Sequence, residues 1–267
     1  MLLHRPLRPG RAIVTGAASG LGRAITARLV VDGWQVAKLD LPGPNWPPTD
    51  RQSSSIAIEF DVRDAAAWAD LHARLRREWP SLELLVNAAG VGAAGEVGTL
   101  PAEAWRRVID TNLIGTALGC ETFLPWLREQ PRRTHVVNVA SIAGSLAIPA
   151  MSAYSASKAG VVALSEAIAA ECPRGRPGVT VACPGFFRSG LLDTWHFTSA
   201  TAAREARRRM DDTRWTSDRV ARRVLHAVHR NRRYVVVGLR ARWLWRLKRL
   251  APRATTALMR IVYRRLG

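Results

Sequence analysis

Tyr154-Ser155-Ala156-Ser157-Lys158 sets one of the chain's three tyrosines four residues before a lysine. On a helix that spacing puts phenol and ammonium on one face. A neighbouring cation favours phenolate, which moves a group that titrates near pH ~10 towards service as a general acid or base. Alone, Tyr-x-x-x-Lys more often marks a surface pair on an ordinary helix. Its meaning therefore depends on what the rest of the chain delivers to the same place.

Ser141 is the first such delivery. It follows Thr134 to Ala140, a run that is apolar apart from His135 and Asn138 and so reads as a strand buried on both faces, as in a parallel sheet. The small-residue loop Ile142 to Ser152 is long enough to fold the Tyr154 helix, which continues through Ala170, back beside the serine. A second delivery is the turn Thr15-Gly16-Ala17-Ala18-Ser19-Gly20-Leu21-Gly22, set between the strand Arg11-Ala12-Ile13-Val14 and a helix over Arg23 to Val31. Gly16, Gly20 and Gly22 allow the backbone to turn tightly and approach a pyrophosphate. The helix start adds unpaired N–H groups and a favourable dipole.

The remaining strands end in further polar or small residues. Gln35 to Asp40 closes on a carboxylate placed to accept hydrogen bonds from an adenosine ribose and to repel a 2′-phosphate, which favours NAD(H). Ser19 is neutral where a basic residue would favour NADP(H), but Lys38, on the strand face of Asp40, keeps NADP(H) open. Ser55 to Phe60 leads into Asp61-Val62, within reach of an adenine edge. Leu82 to Val86 stops at Asn87-Ala88-Ala89-Gly90, Val179 to Cys183 stops at Pro184-Gly185, and Tyr234 to Val237 is the last strand. Between them, helical periodicity over Ala65 to Trp79 turns Trp68, Leu71 and Leu75 inward, and a helix starting near Pro101 carries Asn112, a polar residue that must find partners if buried. Another helix is expected over Ser217 to Arg230, capped by Thr216 or Ser217. Alternating strands and helices make the class α/β. Leu41 to Ser55 reads as a surface loop. Residues 186–213 have no clean period at their start and read as a mobile lid, with Phe186, Phe187, Leu191, Leu192, Trp195 and Phe197 offered to a substrate.

At 267 residues and 48% hydrophobic composition, one large domain over residues 1–238 is the default. Cys120, Cys172 and Cys183 have no metal-ligand spacing, and no metal is expected; they fit a reducing compartment. Met1 to Gly10 lacks the apolar region of a signal peptide, and no run is long enough to span a membrane. These features suit a cytoplasmic protein. Of the net charge of +19, twelve positive charges fall between Arg230 and Gly267, which hold no acidic residue. In residues 239–267, Leu239, Trp243, Leu247 and Leu250 line one stripe and Arg242, Arg246 and Arg249 its neighbour. Pro252 interrupts the pattern, and a second amphipathic helix is expected from about Ala254 to Leu266. Such a tail suits the inner face of a membrane, the protein body or a partner subunit. Nucleic acid is disfavoured, because basic and aromatic residues are segregated by face and no recognition fold is evident.

The order Thr-Gly-x-x-x-Gly-x-Gly, Asp40, Asp61-Val62, Asn87-x-Ala89-Gly90, Asn112, Ser141, Tyr154-x-x-x-Lys158 and Pro184-Gly185 resembles the short-chain dehydrogenase/reductase family over about residues 10–238. The resemblance implies a doubly wound parallel sheet of Rossmann type binding a nicotinamide dinucleotide, and an NAD(P)(H)-dependent interconversion of a secondary alcohol and a ketone. The implied catalytic residues are Asn112, Ser141, Tyr154 and Lys158. Tyr154 would exchange the proton, Ser141 would hydrogen-bond the substrate oxygen, Lys158 would bind the nicotinamide ribose and stabilise the phenolate, and Asn112 would hold a water linking Lys158 to solvent. The implied cofactor contacts are Gly16, Ser19, Gly20, Leu21, Gly22, Asp40, Asp61, Val62, Asn87, Ala88, Pro184, Gly185 and Ser189, with Tyr154 and Lys158. Ser141, Tyr154, Phe186, Phe187, Leu191 and Trp195 would meet a lipophilic substrate. Two departures stand out: Ala88 replaces the second Asn of the frequent Asn-Asn-Ala-Gly, and Ser189 replaces a threonine. A homodimer or homotetramer is also implied, formed by the helices after Pro101 and Tyr154. The competing reading is a catalytically idle dinucleotide-binding scaffold anchored by its tail.

Overall fold

The computed structural model describes residues 7–43 and 55–264. Residues 1–6 of the opening segment, residues 44–54 of the expected Leu41 to Ser55 loop, and the tail beyond 264, including the expected helix end at Leu266, lie outside the described residues. The strands are β1 Arg11–Thr15, β2 Gln35–Asp40, β3 Ile56–Glu59, β4 Leu84–Asn87, β5 Ala93–Ala94, β6 His135–Val139, β7 Gly178–Pro184, β8 His196–Phe197 and β9 Tyr234–Val237. Seven of them form one parallel sheet in the order β3-β2-β1-β4-β6-β7-β9. The order reverses beside β1, where β4 pairs on the other side from β2. Such a reversal opens a crevice at the carboxyl ends.

Helices α1 Gly20–Val31, α2 Ala65–Glu78, α3 Ala102–Ile109, α4 Gly115–Glu129, α5 Ala143–Leu146, α6 Ser152–Glu171, α7 Ala200–Asp211, α8 Ser217–His229, α9 Leu239–Leu250 and α10 Pro252–Arg264 complete the described chain. Side chains alternate across a strand, so neighbouring residues feed opposite layers. Ala12 and Val14 join Leu84, Val86, Val137 and Val139 under α1 and α8, while Ile13 joins Leu85 and Val136 under α2, α4 and α6. The expected inward residues Trp68, Leu71 and Leu75 are the buried positions of α2. Trp68 meets Phe60 edge-on with ring centres 4.6 Å apart and lies 6.0 Å from Phe123.

The structure adds to the sequence reading in three places. The helix after Pro101 runs on through Asn112 as read, but a π-helical turn, Asp110–Ile114, lies between α3 and α4 and widens the backbone where Asn112 enters the interior. The segment read as a lid has regular structure: a 3-10 turn at Gly190–Thr194, β8 paired in parallel with β5, and α7 capped by Ser199. Finally, of the apolar stripe of α9, Leu247 is half-buried and Leu239, Trp243 and Leu250 face away from the body, exposed by 72%, 60% and 86%. The body is met instead through Trp245 and Arg249, which pack on Tyr234 of β9. Pro252 opens α10, a position where its missing N–H costs nothing. Among the described residues no helix is long and apolar enough to cross a membrane.

The loop after β6 returns to the sheet through α5, which lies backbone to backbone on α6. A β-carbon on Gly144 would sit 2.5 Å from the carbonyl carbon of Lys158 and 2.7 Å from the nitrogen of Ala159. Gly144→Ala is therefore expected to destabilise the protein by about 1–3 kcal/mol in urea unfolding, because a helix backbone cannot yield as a side chain does. An unchanged unfolding midpoint would contradict the contact.

Candidate active site

Ser141 leaves the carboxyl end of β6, and hydrogen bonds from Ala140 N to Ala182 O (2.8 Å) and from Ile142 N to Pro184 O (3.0 Å) hold it level with the end of β7. Tyr154 and Lys158 occupy successive turns of α6 and are 7% and 4% exposed. The Lys158 ammonium lies 5.8 Å from the centre of the phenol ring and donates to Val139 O at 2.8 Å. Burial pushes the Tyr154 phenol up to about 12, opposed by the Ser141 hydroxyl beside it, and pushes Lys158 down to about 8. The spacing alone predicts a phenol depressed by its cation. Loss of water dominates instead, and the phenol holds its proton more tightly than a free one.

Asn112 is fully buried at the π-helical turn. Its Oδ1 accepts from Val91 N and its Nδ2 donates to Val91 O and Ser157 Oγ, each at 2.9 Å. The amide thus pairs with the loop after β4 as a strand would, and joins it to α6. Gly90 separates Asn112 from Lys158: a β-carbon there would be 3.2 Å from Asn112 Oδ1 and 3.4 Å from Lys158 Nζ. Ser157, absent from the sequence-based set, also donates to Tyr154 O at 2.8 Å. Its signal was its place inside the Tyr-x-x-x-Lys pentapeptide.

The glycine turn is fixed by contacts that no side chain could share. Gly16 has φ +66°, and its β-carbon would lie 2.9 Å from the Ala89 backbone, while a β-carbon on Gly22 would collide with the carbonyl of Gly16. Thr15 Oγ1 accepts from both Ala88 N and Ala89 N at 3.0 Å, locking the ends of β1 and β4 together. Asp40 stands at the end of β2, where Oδ2 accepts from Ala18 N at 2.8 Å and Oδ1 from Leu41 N at 2.9 Å. Burial raises its pKa, and these two bonds oppose the rise. The carboxylate therefore braces the turn as well as closing the strand.

The other expected cofactor positions divide. Ser19 is exposed at the start of α1, and Gly20 lies under Ser189, whose Cβ is 3.6 Å from where a β-carbon would stand. Ser189 Oγ is buried without a hydrogen-bond partner. Pro184 ends β7 in register with Val237 of β9, and Gly185 follows it. Asp61 holds Arg63, which lowers its pKa, and Val62 is buried against Gly115. Two side chains turn away from the crevice: Leu21 enters the core under α1, and Asn87 Nδ2 donates to Asn138 Oδ1 at 2.9 Å inside the opposite layer. Their backbones stay at the turn and at the end of β4. The unpartnered Ser189 hydroxyl, the glycine cradle and the Asp40 carboxylate fit a dinucleotide.

On the substrate side, Tyr154 belongs to an apolar cluster with Ala93, Leu100, Ala143 and Ala153, against which Val91, Ile148, Met151 and Trp195 pack. Trp195 faces Tyr154 with ring centres 5.0 Å apart and seats against Gly92, where any side chain would collide with the indole. Its Nε1 is buried without a partner. Leu191 is half-buried and Phe186 is exposed. Phe187 corrects the sequence reading. Alternation along β7 would place it with Val181 and Cys183, but the strand ends at Pro184 and the chain beyond turns the ring into the layer under α1 and α8, so it is core rather than a wall of this site. Ile148 and Met151 went unread, since nothing in the local pattern of the loop says which residues face the phenol.

A family model described as short chain dehydrogenase matches residues 11–198. The chain is 30% identical over 264 residues to the probable oxidoreductase EphD of Mycobacterium tuberculosis, covering 93% of this chain and 45% of that protein. It thus spans less than half the length of that curated relative. It is 35% identical over 184 residues to 2-dehydro-3-deoxy-L-rhamnonate dehydrogenase (NAD(+)) of a Sphingomonas species, covering 68% of this chain and 74% of that one. A crystal structure of a short chain dehydrogenase/reductase from Burkholderia phymatum in complex with NAD is similar with a TM-score of 0.85 and 28% identity, over 91% of this chain and 94% of that chain.

The buried ammonium gives a pH signature. Lys158 loses its proton near its ordinary 10.5 when unfolded and at about 8 when folded, so between those values the unfolded chain holds more protons and stability rises with pH. Relative to Lys158→Met, wild-type unfolding free energy is expected to increase by roughly 2 kcal/mol between about pH 7 and about pH 9.5. Parallel curves for the two proteins would show that the ammonium carries no burial cost.

Proposed function

The chain belongs to the short-chain dehydrogenase family, and on that premise we propose that it is an NAD(H)-dependent oxidoreductase interconverting a lipophilic secondary alcohol and its ketone. The observation that carries this reading is the buried Tyr154 phenol with Ser141 beside it and Lys158 one turn on, next to a glycine turn that fits a dinucleotide. When bound, the nicotinamide supplies or accepts the hydride. Gly16, Gly20 and Gly22 admit the pyrophosphate, Asp40 takes the adenosine ribose, Asp61 and Val62 border the adenine, and Ser189 gives its unpartnered hydroxyl to the nicotinamide end.

In the direction of reduction, Ser141 donates to the ketone oxygen and Tyr154 delivers the proton that converts it to hydroxyl. The raised phenol pKa suits this, since Tyr154 holds its proton until an anion develops beside it. Lys158 stabilises the phenolate that remains. Asn112 and Lys158 approach one another across Gly90, which supports a water held there to return a proton from solvent. In oxidation the same groups run in reverse, with Tyr154 taking the hydroxyl proton. The apolar cluster around Tyr154 and the indole of Trp195 support a lipophilic substrate. The homo-oligomer contact would lie on the helices after Pro101, α3 and α4, and on α6, whose outward residues include the small Ala156, Ala159 and Ala163. The outward Leu239, Trp243 and Leu250 of α9 support peripheral contact with a membrane.

Tyr154→Phe is expected to lower kcat by about a hundredfold or more while NADH still binds, measured by NADH oxidation with a panel of lipophilic ketones and by fluorescence titration. Near wild-type turnover would remove Tyr154 from the proton transfer. An idle scaffold predicts no turnover from either protein. For the cofactor, NADH is expected to bind about tenfold or more tightly than NADPH, because Asp40 repels a 2′-phosphate, and Asp40→Asn should narrow the gap. Tighter binding of NADPH by the wild type would overturn the preference.

A further inference from the structure

Away from the crevice, the protein has a concave surface of different chemistry. A cavity of about 340 Å³ opens between α8, β9 and α9, and Trp215, Arg223, Arg232, Arg242, Trp245 and Arg246 contribute to its lining. A wider recess of about 640 Å³ adjoins it, sharing Trp215, Arg223 and Arg242 and adding Arg214, Arg219 and Arg222. Neither Asp nor Glu lines either one.

Some of these guanidinium groups are occupied. Arg222 pairs with Asp218 at 3.0 Å, Arg219 donates to Arg214 O at 2.8 Å, and Arg242 gives its Nε to Val236 O at 3.1 Å. Arg223, Arg232 and Arg246 have no carboxylate partner among the described residues. Like charges gathered in a concavity repel one another, and an anion that enters relieves the repulsion at every one of them. The guanidinium fork matches a phosphate oxygen pair, and the indoles of Trp215 and Trp245 limit the water that would screen the contact. The volume is at the small end of the roughly 300–1,000 Å³ typical of ligand sites.

We propose that this cavity binds a phosphate-bearing anion through Arg223, Arg232, Arg242 and Arg246. The site is separate from the hydride-transfer residues and does not depend on their chemistry. The phosphate belongs either to a soluble compound or to a lipid head group, the latter favoured by the apolar residues α9 exposes alongside.

Two measurements on the full chain decide it. In isothermal titration with pyrophosphate at constant ionic strength, with saturating NADH present to fill the glycine turn, the wild type should show one saturable site. Arg223→Gln with Arg246→Gln should weaken it by about tenfold or more, the cost of losing charge-assisted hydrogen bonds. Arg240→Gln with Arg253→Gln removes the same charge outside the cavity and should leave binding close to wild type. Equal weakening by both pairs, or no saturable binding by the wild type, would overturn the site. Flotation with phosphatidylglycerol vesicles, against phosphatidylcholine, then identifies the source. Loss of flotation in the cavity pair alone assigns a lipid head group. Equal flotation of all three proteins, with pyrophosphate binding lost in the cavity pair, assigns a soluble phosphate compound. Neither readout uses turnover, so a failure here is distinct from a failure of the oxidoreductase reading.

Discussion

The ammonium of Lys158 is a charge held almost out of contact with water, and much of the surrounding structure follows from keeping it there. Burying a lone cation is costly unless polar groups replace its hydration. The carbonyl of Val139 is one replacement, supplied because β6 ends beside the second turn of α6. To bring helix and strand end so close, α6 presents small residues to the body. Ser155, Ser157 and Ser165 are buried on it, and Gly144 of α5 touches its backbone. The same closeness dehydrates Tyr154 and holds its proton more tightly. Phenol and ammonium are thus each moved away from the charged form by one cause.

The layout of the fold was legible because it rests on period and punctuation. β-branched runs ending in Gly, Asn, Asp or Pro mark strands and their carboxyl ends, so the glycine turn, Asp40, Ser141 and Pro184 could be ordered along one edge. What the sequence concealed depends on the third dimension. Asn138 is visible as a polar interruption of an apolar strand, yet its bonds to Asn87 and Ser165 come from residues 51 and 27 positions away. The π-helical turn around Asn112 has no local signature, because it is imposed by the backbone of Val91. Phe187 and Trp195 look alike as apolar residues after β7, but one enters the core and the other covers Tyr154.

The buried phenol–ammonium pair and the arginine-rich surface are arranged independently. Lys158 lies over the phenol ring, 5.8 Å from its centre, whereas the arginines of α8 and α9 gather on a separate surface around Trp215. The two regions still share backbone. Arg188 N donates to Trp215 O at 2.9 Å, and Arg188 immediately precedes Ser189. Val237, which lines the arginine-rich cavity, pairs in register with Pro184.

The segment between Pro184 and Thr216 is fastened to the body largely by main chain. His196 N donates to Gly92 O, Thr198 N to Ala94 O and Arg188 N to Trp215 O. Peptide groups are the same whatever side chains they carry, so these fastenings are blind to sequence. Phe187, Leu192, Trp195 and Met210 add side-chain packing, while the exposed side chains between them can change without loosening the seat. The exposed positions of the segment can therefore diverge as an exchangeable cassette over a fixed core, while Gly92 must stay small to receive the ring that lies over the phenol.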